Sequence, residues 1–160
     1  GKDQYVLCVD KDGNPKISKA YAFRIGKITN EIYHLKLSNG QECKVTANHP
    51  MLLKNLTWKR ADELNINDIL YSAILNWNKE DINYRPYINM NYNNINTRIA
   101  YLVGEYKFDS ISKGNIIHHK DENPSNNHPD NIENLTKKEH DLHHKTFING
   151  FNKEEAYKDV

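Results

Sequence analysis

Cysteine is scarce in this chain: of 160 residues, only Cys8 and Cys43 carry a thiol. They do not form a Cys-x-x-Cys pair, which argues against a zinc ribbon and leaves no disulfide framework to infer. Long apolar runs are missing too. Hydrophobic residues make up 38% of the chain and the mean hydropathy is −0.86, so no stretch is long enough to span a bilayer. The N-terminus lacks a signal-peptide pattern. The expectation is a soluble chain with no membrane partner in a reducing, intracellular (cytoplasmic) setting. An excess of one charge is absent as well, since 22 Lys and Arg stand against 21 Asp and Glu for a net charge of +1. No global basic field announces a nucleic-acid partner, and any site for a polyanion must be local. There is no repeat at a solenoid period.

What is present divides the chain. Its apolar content suffices for one ordinary domain or two small ones. Residues 1–75 are strand-like and punctuated by turns: "YVLCVD" runs into "KDGN", "AYAFRIGKI" follows, and "EIYHLKLSNGQECKVT" alternates across the turn "SNG". This half reads as antiparallel β. Residues 76–97, rich in Asn and Tyr with little periodicity, read as an extended linker and the least ordered part. Beyond it, Ile99, Leu102, Val103 and Tyr106 recur at helical spacing behind Thr97 as N-cap. A second helix is expected from Thr136 to about Thr146, and a third from Lys153. The fold class is α+β.

Six of the eight histidines fall within residues 115–144. "NIIHH" has strand character, "KDENPSNNHPD" is turn chemistry, "NIENL" begins a return strand and "TKKEHDLHHK" enters a helix, which together make a compact ββα unit. Adjacent strand residues point to opposite sides, so His118 and His119 should divide two roles. His140 and His144, four apart on a helix, stack on one face. His143 is expected to point elsewhere, and His128 to be an ordinary loop residue. Asn123, Asn126 and Asn127 should shape the loop through bonds to its backbone. Such a cluster suits a divalent metal beside an activated water. A phosphodiester repels nucleophiles and has a poor leaving oxygen, and a cation together with a base that titrates near neutrality offsets both.

The stretch "IIHHKDENPSNNHPDNIENLTKKEH", with the upstream "RIAYLVGEYKFDSISKGN", resembles the HNH nucleases over residues 97–147, in particular their homing-endonuclease branch. The resemblance implies that His119 is the general base, His118 and His140 are metal ligands, and Asn131 pins the loop and orients His119. His144 is a further candidate ligand, since nuclease toxins with a similar ββα-metal site use a His-xxx-His pair there. Glu122 departs from the family's Gly in "DGN", so the turn is expected to distort if φ is positive at that position. One divalent metal ion is implied. Three imidazoles are softer than an all-oxygen magnesium site, so Mn²⁺, Ni²⁺, Co²⁺ or Zn²⁺ should bind at least as tightly as Mg²⁺.

The β half resembles the Hint fold shared by inteins and hedgehog autoprocessing domains. The likeness rests on "TANHP" and the following "W…ADEL…D.L", and covers residues 1–72. It implies that Thr46 and His49 polarise a scissile amide at a splice junction. A splicing nucleophile is missing, because Gly1 has no side chain to attack with, Cys8 lies inside a strand, and no closing "HN" is present. The expected architecture is therefore a partial Hint-like domain (1–75), a linker (76–97) and an HNH ββα-metal domain (98–160), of prokaryotic or phage-like origin. Its implied partner is double-stranded DNA. Arg98, Lys107, Lys113, Lys120, Lys137 and Lys138 are candidate DNA contacts, together with Lys54, Lys59, Arg60 and Lys145. Two other readings stay open: one fragment of a split splicing element that needs a complementary intein fragment, and a noncatalytic zinc-binding DNA module with a closed ion.

Overall fold

A computed structural model describes residues 4–21, 28–76 and 85–148, with side chains to residue 145. The expected strand within "AYAFRIGKI" falls mostly on residues 22–27, and the expected helix from Lys153 falls beyond 148. Both lie outside the described residues.

Contacts divide the chain into two compact units, one of residues 1–75 with 88–96 and the other of residues 76–87 with 97–160. The first unit is built from antiparallel hairpins. β1 (Gln4–Val9) pairs with β2 (Pro15–Ala20) across a turn closed by Asp10, whose Oδ1 accepts from the N–H groups of Asp12 and Asn14 at 2.9 Å each. β3 (Tyr33–Lys36) pairs with β4 (Glu42–Val45). The "SNG" between them turns through Gly40 at φ 83°, a left-handed conformation that glycine adopts without strain. β5 (Pro50–Leu52) pairs with β6 (Trp58–Arg60). Two-stranded ribbons bury little, and in this unit Ala61, Ile88 and Met90 are the apolar residues with deep burial among those described. Polar side chains tie the hairpins together. Tyr71 donates its hydroxyl to Gly13 O at 2.6 Å, Asn91 accepts from Ser72 N and donates to Leu70 O, and Lys59 meets Asp68 at 2.7 Å.

The structure differs from the expected linker. Strands β7 (Ala73–Asn76), β8 (Tyr87–Met90) and β9 (Asn96–Arg98) form a three-stranded sheet in that order, and Ile88 and Met90 of β8 are buried. "YINM" alternates in burial, a four-residue period-2 signal hidden among polar neighbours. The same sheet moves the start of the first helix. Thr97 belongs to β9, and α1 (Ile99–Phe108) begins after Arg98, which caps it without a side-chain bond.

In the second unit α1 buries Ala100, Leu102, Val103 and Gly104 and packs on β10 (Ile116–His119) and β11 (Ile132–Leu135), an antiparallel pair. Gly104 permits the approach, since a Cβ there would stand 2.7 Å from Ile117 Cδ1. Tyr106, expected on the apolar face, is 38% exposed. α2 (Lys137–Ile148) follows β11 directly. Thr136 and Glu139 form a reciprocal cap at its start: Thr136 N donates to Glu139 Oε2 at 2.7 Å and Glu139 N to Thr136 Oγ1 at 3.3 Å. Strand, loop, strand and helix thus occur in the expected order.

Ile132 is fully buried between α1 and this hairpin. Ile132→Ala should destabilise the protein by about 2–5 kcal/mol, read as a lower midpoint in denaturant with an unchanged slope.

Candidate metal centre

The register of β10 and the spacing along α2 build the site. His118 and His119 are successive strand residues, so their side chains leave on opposite sides. Both are buried, at 4% and 7% exposure. His118 meets the histidines of α2, with ring centroids 5.3 Å from His140, 4.3 Å from His143 and 5.6 Å from His144. His143 therefore does not point away, contrary to the expectation. Positions 140, 143 and 144 are related by i, i+3 and i+4, and all three share one helix face.

Two groups of side chains bring possible ligand atoms within 4.8 Å of one another: His118 with His140 and His144, and His118 with Glu122 and His143. Nε2 of His140 and Nε2 of His144 face each other at 3.1 Å. Two nitrogens each about 2.1 Å from one tetrahedral ion would stand about 3.4 Å apart, so this spacing fits shared coordination. Nε2 of His118 is buried without a hydrogen-bond partner. Burial lowers the pKa of His118, an effect that Glu122 opposes and that His143 and His140 reinforce. His140 is lowered by burial and then by His144. Both shifts favour the neutral imidazole that binds a cation. The donor set of several imidazoles and one carboxylate fits a divalent transition metal.

On the other side of β10, His119 Nε2 lies 3.1 Å from Asn127 Oδ1. The amide orientation is fixed because Asn127 Nδ2 faces the carbonyls of Pro124 and Ser125. The carboxamide oxygen can only accept, so Nε2 of His119 donates, and in the neutral imidazole the lone pair then lies on Nδ1. Asn127, expected to shape the loop, is thus the residue bonded to His119.

Asn131 sits elsewhere. Its Nδ2 donates to Asp121 Oδ1 and to Asn126 O at 2.8 Å each, and its Oδ1 accepts from Asp121 N at 3.2 Å. It pins the loop, and its contacts run to Asp121 and Asn126. Asp121 also accepts from Asn123 N and Asn126 Nδ2. Burial raises the pKa of Asp121, but the bonds from Asn126, Asn131 and Asn123 outweigh it and the net shift is downward. His128 caps the short turn at Pro129–Asn131 by accepting from Asp130 N at 3.3 Å.

In the sequence Glu122 stands only as a departure from glycine. Its φ is 58°, so the left-handed turn is present, and its carboxylate lies 2.8 Å from His143 Nε2 and 3.6 Å from His118 Nε2. That missing glycine was the available signal.

Among the proposed DNA contacts, Arg98, Lys107, Lys113, Lys120, Lys137 and Lys138 are exposed. Lys107 donates its ammonium to Ile132 O at 2.7 Å and is engaged in packing α1 onto β11. In the first unit the Thr46 hydroxyl donates to Asn48 Oδ1 at 3.0 Å, while His49 is exposed and its N–H donates to Thr46 O.

Residues 99–142 match the family model of an HNH endonuclease. The match takes in α1, both strands and the start of α2, and so contains His118, His119, Asn131 and His140, while His143 and His144 lie just past its end. That segment is thus similar to HNH endonuclease domains. The comparisons give no support to an intein-type domain. No curated protein and no solved structure matches the chain.

The ring of bonds around Asp121 gives a prediction. Asn131→Ala should cost about 1 kcal/mol or more and raise the Asp121 pKa toward its ordinary value. Because that pKa is lowered in the folded state, the stabilisation is complete above about 3.9 and is lost as pH falls through the folded value. The stability gap between wild type and variant should therefore narrow on acidification below about pH 4, as followed by chemical denaturation.

Proposed function

We propose that residues 98–148 form a ββα-metal nuclease of the homing type, which hydrolyses or nicks phosphodiester bonds of double-stranded DNA with the help of one divalent cation. The observation that carries the reading is the convergence of His118, His140 and His144 around a buried, unpartnered imidazole nitrogen, within a segment that matches an HNH endonuclease. A cation held by these residues would polarise the phosphoryl group and stabilise the leaving oxygen. His119 is the general base. Asn127 holds its Nε2–H and leaves Nδ1 to take a proton from the attacking water. With 7% of the residue exposed, water and phosphate must reach that nitrogen along one edge of the ring. Asn131 acts at one remove by fixing the loop that carries Asn127. Mg²⁺, Mn²⁺, Ni²⁺, Co²⁺ and Zn²⁺ are all candidates, and the imidazole-rich set favours the transition metals.

Exposed Lys137, Lys138 and Lys145 line one shallow depression along α2 with Asp141 and Leu142, and supply local positive charge for phosphate contacts. Arg98, Lys113 and Lys120 extend the candidate DNA surface. Residues 1–75 are proposed as a partial intein-type β domain. The antiparallel hairpins and the "TANHP" segment support that assignment, under which a complementary intein fragment would be a partner.

His118→Ala should abolish metal binding and metal-dependent nicking of supercoiled plasmid. His119→Ala should retain the metal while the rate drops by about 10²–10⁴. Calorimetric titration beside the plasmid assay, with EDTA as the metal-free arm, separates the two, and equal loss of metal in both variants would overturn the division of roles.

A further inference from the structure

The Glu122 carboxylate has no place in the three-histidine set, yet it occupies the same space. His118 belongs to both groups of potential ligands, so the His140–His144 pair and the Glu122–His143 pair adjoin at one imidazole. Glu122 reaches that site from a backbone conformation that side chains rarely adopt, φ 58° at the end of a tight turn in which its N–H donates to His119 O at 3.0 Å. The turn itself asks for glycine. The side chain does not run out to solvent: Oε1 lies 2.8 Å from His143 Nε2 and 3.6 Å from His118 Nε2, and Oε2 lies 4.0 Å from His144 Nδ1. The unpartnered, buried Nε2 of His118 is an independent sign that something beyond these side chains completes the centre.

We infer that the carboxylate of Glu122 is a fourth protein ligand of the cation, beside His118, His140 and His144, and that His143 braces it by donating Nε2–H to Oε1. The inference rests on the proposed metal site. It also changes what that site can do. Four protein ligands fill a tetrahedral ion such as Zn²⁺ and leave no position for phosphate or water. A six-coordinate ion such as Mn²⁺ keeps two positions. Glu122 is thus a specificity determinant for the metal, and His143 is its positioning residue.

Calorimetric titration of the full chain with Mn²⁺, paired with thermal melting with and without the ion, tests this. Wild type should bind Mn²⁺, His118→Ala should not, and Glu122→Gly should bind at least about tenfold more weakly. Its rise in melting temperature on adding Mn²⁺ should be smaller than that of wild type. Glu122→Gln, which keeps the backbone and removes the charge, should also lose affinity. His143→Ala should weaken binding, and His143→Gln, whose amide can donate in the same way, should recover part of it. Unchanged Mn²⁺ affinity in Glu122→Gly would overturn the inference and leave the three-histidine site standing. A rise in melting temperature on adding Mn²⁺ that is as large in Glu122→Gly as in wild type would also overturn it. Failure of wild type to bind Mn²⁺ would remove the metal site itself and the inference with it.

Discussion

The second unit is organised around one buried nitrogen. His118 Nε2 is shut off from water and has no hydrogen-bond partner, a situation that costs roughly 1–3 kcal/mol unless something supplies the missing interaction. Three α2 histidines and a loop glutamate surround it. The rest of the unit serves that convergence: the β10–β11 pair sets the strand face, Gly104 lets α1 pack closely behind Ile117, and the Thr136–Glu139 cap fixes where α2 begins. Each of these is an ordinary packing or capping device. Together they bring His118 to the α2 histidines, 22 or more positions further along the sequence.

The loop between β10 and β11 works by a different economy. Its side chains bond mostly to one another and to its own backbone, with Asp121 as the shared acceptor and Asn126 and Asn131 as donors. Asn127 turns its amide nitrogen to the loop carbonyls of Pro124 and Ser125 and its oxygen to His119. The bonds that pin the loop are made by Asn131, and the bond to His119 by Asn127.

Much of the second unit was legible in the sequence because its signals are local. "IIHH", the asparagine-rich turn and "TKKE" mark strand, loop and helix start by short-range chemistry, and i, i+4 spacing brings His140 and His144 together. His143 was misjudged because an i+3 neighbour also lies on the same face. Glu122 could be seen as a missing glycine, but where its carboxylate goes depends on the turn's φ and on α2, which are tertiary facts. Residues 76–97 misled for a related reason: β8 and β9 are four and three residues long, too short for their alternation to stand out from the surrounding Asn and Tyr. In the first unit the hairpin turns were readable, whereas Thr46 bonding to Asn48 while His49 stays exposed was not.

His118 lies on the first strand of the β10–β11 pair and His140 and His144 lie on the last described helix, so a bound ion would join the two ends of that strand-loop-strand-helix segment. That makes it a crosslink as well as a chemical centre, closing a loop of some twenty-odd residues in the way a disulfide would, an effect of about 3 kcal/mol on the chain-entropy model. Among the described residues of this unit the deeply buried hydrophobic side chains are Ala100, Leu102, Val103, Ile117 and Ile132, with Pro86 and Pro129. Occupancy of the centre would thus govern how long the fold lasts as well as what it can cut.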